Sequence, residues 1–169
     1  LTINTLPTEE QRQLGAVMHS KPILLTQEGR IVVTKDTSTP PKPVVTTTAR
    51  QDYLLFGTTQ GMLHVVKVGT DTDTDRGEEV FTFVPHEMME KQYKGFLGEG
   101  NTNLGRDNLY YGIDGAWTAY SQYVSKTGST STLTVKGKND DGDDLSNQAG
   151  LQLVYGGLRM GGRGYYSLD

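Results

Sequence analysis

The chain has 169 residues, enough for about one domain with a sizeable core. It carries a net charge of −4, 34% hydrophobic residues, 21 glycines and no cysteine. Disulfides and thiolate metal sites are thereby excluded, no basic stripe of the nucleic-acid-binding kind is visible, and no apolar run approaches the roughly 18 residues of a membrane span.

Low apolar content with high glycine points to a turn-rich β protein or to a piece of a larger one. Residues 1–13 are polar and read as a lead-in. A short apolar strand is predicted at 22–25, a turn at Gln27, Glu28 and Gly29, and a second strand at 30–35, together a hairpin. Residues 36–52 hold Pro40, Pro41 and Pro43 among many threonines. Proline cannot donate to a ladder, so this stretch reads as an extended loop insertion whose Thr-rich half could add an edge strand. Three strands follow, at 53–57, 62–68 and 79–84, joined by two short connections. That is an antiparallel meander, close to the unit of a propeller blade. The first two are almost continuously apolar, as inner strands are; the third alternates, as an edge strand does.

Residues 85–96 give the one convincing helix, with Pro85 in its first turn and a face of Met88, Met89, Gln92, Tyr93 and Phe96. A hairpin is predicted about Asp114-Gly115. A weaker hairpin follows at 125–138, overlapping a second insertion that spans 126–148. Residues 151–158 read as a strand, 160–164 as a Gly-rich turn, and 165–169 as the start of another strand. A chain stopping there is expected to continue in the natural polypeptide. A strand-Gly-turn-strand pattern recurs at Tyr53, Leu109 and Leu151, a loose blade-length repeat.

Two acidic stretches carry metal-like spacing. Asp71, Asp73, Asp75 and Glu79 stand at relative positions 1, 3, 5 and 9, and Asn139, Asp141, Asp143 and Asn147 repeat that spacing. Alternating carboxylates in a turning loop can present several hard oxygens to one ion, so Ca²⁺ is the candidate cofactor. The competing reading is a solvated acidic turn in each case. His64 lies in the middle of FGTTQGMLHVV (56–66) and is expected to be a satisfied inter-strand residue, because no second His stands at ligand spacing. The GGRGYY stretch lacks the spacing and the Lys-Ser/Thr of a P-loop and reads as a structural turn. No Ser-His-Asp order or close Glu pair points to hydrolysis.

The segments HSKPIL, YLLFGTTQGMLHVV, GEEVFTFVP, YYGIDGAWT and GGLRMGGRGYYSLD occur in this order. In that order the chain resembles the PilC/PilY-type proteins of type IV pili, over about residues 14–169. The last segment is the most specific. The resemblance implies an all-β, propeller-like fold of the quinoprotein-like kind, of which this chain would be the first blades with one short helix. It implies a binding protein rather than an enzyme, extracellular or at the cell surface, at the pilus tip or outer membrane of a Gram-negative bacterium. Its implied partners are pilin subunits or minor pilins and a host or abiotic surface, with roles in pilus biogenesis and adhesion. The family's nine-residue calcium loop resembles the spacing at 71–79, but it belongs to a later part of the propeller. The alternative is a generic quinoprotein-like propeller, either a dehydrogenase or an outer-membrane scaffold.

Overall fold

A computed structural model describes residues 14–69, 73–96, 110–126, 128–136 and 150–169. The architecture is all-β and antiparallel, with two short helices. The strands are β1 (Ile23–Lys35), β2 (Pro43–Gly57), β3 (Leu63–Lys67), β4 (Glu79–Phe83), β5 (Trp117–Gln122), β6 (Val124–Ser125), β7 (Thr132–Thr134), β8 (Leu151–Gly157) and β9 (Tyr165–Leu168). One sheet has the order β4-β3-β2-β1-β7-β6, the other β5-β8-β9. Among the described residues these sheets do not close into a ring of blades.

The meander β2-β3-β4 follows the sequence pattern. Phe56 faces His64 and Leu55 faces Val65 across β2 and β3, and β4 forms the sheet edge. The predicted hairpin at 22–35 does not form. β1 runs straight through Gln27, Glu28 and Gly29 as a single bulged strand. The reason is a set of partners on both sides. β7 pairs with Glu28 to Arg30, and the bulge frees carbonyls that distant groups use. Thr26 O accepts from Tyr123 Oη–H at 2.7 Å and from Gln152 Nε2–H at 3.2 Å, and Gln27 O accepts from Val135 N–H. Residues 36–52 are likewise not one loop. Only 36–42 turn; from Pro43 onward the chain is β2, paired with β1 along its length. Asp36 closes that turn, accepting from the backbone N–H groups of Ser38 and Lys42 and from Ser38 Oγ–H.

The helical stretch splits into α1 (His86–Lys91) and α2 (Tyr93–Phe96), with Pro85 as the N-cap residue of α1. Its inward face is narrower than the periodicity predicts: Met88 is buried, while Met89 and Tyr93 are exposed. The helices are too short to cross a membrane, and no described helix is long and apolar enough to do so.

The core joins both sheets. Leu25, Leu55 and Leu63 from the larger sheet meet Trp117 and Val154 from the smaller one, with Met88, Ile113 and Leu158 closing the gap between them. Trp117 stands opposite Gly156 across β5 and β8, and its ring fills the space that a side chain there would need. Burial of this cluster is the main favourable term in folding. Leu63 is fully buried at its centre. Leu63→Ala should lower stability by about 2–5 kcal/mol in urea denaturation with an unchanged slope. A loss below about 0.5 kcal/mol, the size expected for a surface change, would place Leu63 outside the core.

Candidate functional site

The predicted Asp114-Gly115 hairpin is replaced by an irregular loop over 110–116, with a strand only from Trp117 onward. These residues are committed to close packing. Asp114 is almost fully buried. Its Oδ1 lies 2.7 Å from His19 Nδ1 and accepts a second, longer bond from the His19 backbone N–H; its Oδ2 lies 3.3 Å from Arg159 Nη1. His19 and Arg159 are half-exposed, so the carboxylate sits inside and an imidazole and a guanidinium close over it.

Neighbouring groups lock the same place. Ser20 Oγ, buried, accepts from the Gly57 N–H at 2.7 Å. Thr59 N–H donates to Ala16 O at 3.0 Å, and Ala16 N–H donates to Thr59 Oγ1 at 3.1 Å. The segment before β1 is therefore a strap across the β2–β3 turn. Ile113 N–H and Gly61 N–H both donate to Thr58 O. Gln92, just past α1, donates through Nε2 to Gly161 O and accepts from Gly112 N–H at 3.0 Å. Gly112 has φ +58°, and a Cβ there would overlap Thr58 O; a Cβ at Gly115 would overlap Gly157 O. Both positions therefore require glycine. Arg159 adopts φ 50° without being glycine, an uncommon conformation that its reach to Asp114 helps to hold.

His64 is a satisfied core residue, as its lone position in the sequence led us to expect. It is buried, stacked on Phe56 with ring centroids 5.4 Å apart. Its Nδ1 donates to Glu79 Oε2 at 2.5 Å, and its Nε2 lies 3.3 Å from Thr58 Oγ1.

The acidic residues divide as follows. Asp71, Asn139, Asp141, Asp143 and Asn147 lie outside the described residues. Asp75 accepts from Lys67 Nζ, and that bond holds its carboxyl below the usual range while raising the Lys67 ammonium. Glu79 points the other way, to His64 and Thr82. Among the described residues no group of three His, Asp or Glu side chains is placed to hold a metal.

The residues missed by sequence reading are Asp114, His19 and Arg159, a set whose members lie 95 and 45 positions apart. Their only sequence signal is that each sits inside one of the segments carrying the family resemblance. No protein-family model matches the chain, and comparison with curated proteins and with solved structures finds no match.

Two measurements test this geometry. Asp114→Asn keeps the shape but removes the charge shared by His19 and Arg159, and should cost about 1–3 kcal/mol in chemical denaturation; an unchanged midpoint would mean that the node bears no strain. At Glu79, burial acts to raise the carboxyl pKa, but hydrogen bonds from Thr82 and His64 outweigh it and the pKa is lowered. A depressed folded-state value contributes stability above the unfolded pKa, near 4.3, and that contribution fades as pH falls further toward the folded value. Stability measured from pH 6 downward should fall less in Glu79→Gln than in the parent chain; parallel curves would contradict the assignment.

Proposed function

We propose that this chain is a propeller-like segment of a type IV pilus tip-associated protein that acts by binding, promoting pilus biogenesis and adhesion. The observation that carries the proposal is where the resemblance segments fall. His19 and Ser20, the 57–61 turn, Asp114 and Gly115, and the 156–161 stretch all meet at one buried node. Segments that resemble a family because they build its fold should converge in this way. The blade reading draws on β1 to β4, four consecutive antiparallel strands in sequence order within the six-stranded sheet.

A binding role is favoured over catalysis by the state of the nearest polar groups. Ser20 is buried and engaged by a backbone N–H, so its hydroxyl is not presented as a nucleophile. Binding then falls to exposed parts of the surface, as is usual for loops and projections on a rigid scaffold. Calcium enters as a modulator of the 71–79 stretch. An ion there would compete with Lys67 for Asp75, which argues for micromolar or weaker affinity.

The test is a strain lacking the parent gene, scored for surface pili by electron microscopy and for attachment to cells and to abiotic surfaces. Loss of pili supports a biogenesis role, and normal pili with lost attachment supports an adhesin. Unchanged piliation and attachment would overturn the proposal.

A further inference from the structure

The smaller sheet has one face in the core and one in water. Trp117, Gly156 and Tyr166 stand in one cross-strand row, and Ala119, Val154 and Leu168 in another. Trp117 and Val154 belong to the core, and Tyr166 and Leu168 pack against it, so these rows mark the inner face. Successive residues of a strand point to opposite faces. Thr118, Tyr155 and Ser167 therefore form the central row of the outer face. Tyr120 stands opposite Leu153 on one side of that row, and Tyr165 opposite Gly157 on the other. The three outer tyrosines are open to solvent: Tyr120 is 53% exposed, Tyr155 40% and Tyr165 89%.

They also lie on one line. Tyr120 on β5 is displaced two residues from the central row in one direction, Tyr165 on β9 two residues in the other, and Tyr155 on β8 sits between them. Each step is that of a diagonal cross-strand pair, about 7–8 Å. Gly157 leaves room at one end, because a Cβ there would lie 2.8 Å from Tyr165 Cε1. Among the described residues no other aromatic ring stacks on these three.

The outer face is uncharged, in a chain of which 21% is charged. Its positions within β5, β8 and β9 hold Tyr, Thr, Ser, Gln, Leu and Gly, with no Asp, Glu, Lys or Arg. An acidic polymer would need cations here, and a basic one would need anions. A lipid surface would need exposed aliphatic groups, whereas Leu151 and Leu153 are partly covered and the exposed side chains are aromatic or hydroxylic. The face of an aromatic ring is electron-rich, and the C–H groups on the flat side of a sugar ring are its complement. Thr118 and Ser167, both exposed in the central row, supply hydroxyls that donate to and accept from sugar hydroxyls.

We infer that the outer face of the smaller sheet is a platform for a flat, uncharged polysaccharide. A cellulose-type chain lies along the Tyr120–Tyr155–Tyr165 diagonal with its sugar rings stacked on the tyrosines. A straight row of rings on a sheet fits a polymer that is itself a flat ribbon and not one that coils. The neutral face matches a neutral polymer and excludes acidic ones. This partner class stands whether or not the parent protein belongs to a pilus.

Isothermal titration calorimetry of the 169-residue chain with cellohexaose tests it. Binding should be measurable and should keep its strength from low to high salt, because no charge takes part. Maltohexaose, built from the same sugar in a coiling chain, should bind about tenfold more weakly or worse. Tyr165→Ala should weaken cellohexaose binding by about tenfold or more, and Tyr120→Ala, at the other end of the diagonal, should do the same. Tyr165→Phe keeps the ring and should bind like the parent. Circular dichroism confirms that the variants keep the parent fold, as expected for changes at exposed positions. No binding of cellohexaose would overturn the inference. So would equal binding of maltohexaose, or affinity unchanged in both alanine variants. A loss in Tyr165→Phe as large as in Tyr165→Ala would also overturn it, because the contact would then rest on the hydroxyl. Self-association in sedimentation equilibrium that disappears in Tyr165→Ala would give the face to a second copy of the chain instead.

Discussion

The fold turns on one carboxylate that has been taken out of water. A buried ionised group costs several kcal/mol unless its oxygens are matched by cations and donors. Asp114 is matched from two directions, by His19 at the start of the chain and by Arg159 near its end. Satisfying it fixes where both of those segments lie. The strap that carries His19 then places Ser20 under the Gly57 N–H, and the turn that carries Arg159 brings Gly161 beneath Gln92. The glycines at 112 and 115 let backbones come close enough for these bonds to form.

This arrangement separates what holds the molecule together from what it presents. Parts of the segments that carry the resemblance are used inside: Ser20, Leu63, Asp114, Trp117 and Leu158 are all buried. Outside are the exposed valines and threonines of β1 and β2 beyond Arg30, the half-exposed Val80 and Phe81 of β4, and the exposed Met89 of α1.

What was legible in the sequence was local. The β2-β3-β4 meander, the strand-turn-strand at the end of the chain, the helix after Pro85 and the structural role of His64 all follow from periodicity and turn residues within a short window. What was not legible depended on distant partners. Gln27-Glu28-Gly29 has turn composition, yet β7, Tyr123 and Gln152 supply bonds that keep it extended. Asp114-Gly115 has the composition of a tight hairpin, yet the same two residues are taken by a buried ion pair and by a backbone contact. The Thr- and Pro-rich stretch has the composition of a loop, yet from Pro43 onward it is strand β2, held by its long pairing with β1. Spacing of carboxylates likewise carried no information about Lys67, which claims Asp75 from a neighbouring strand.

Native-state hydrogen exchange tests the central claim most directly, that Asp114 fixes the strap and the loop against the sheets. The amides to follow are Gly57, Gly112 and Ile113, whose partners are Ser20, Gln92 and Thr58. In the parent chain they should exchange only through the global opening that also exposes Leu55 and Val65 in the β2–β3 ladder. In Asp114→Asn they should exchange through a separate, local opening while the ladder stays protected. If the three amides keep the protection of the ladder in that variant, the node is not what the rest of the structure depends on.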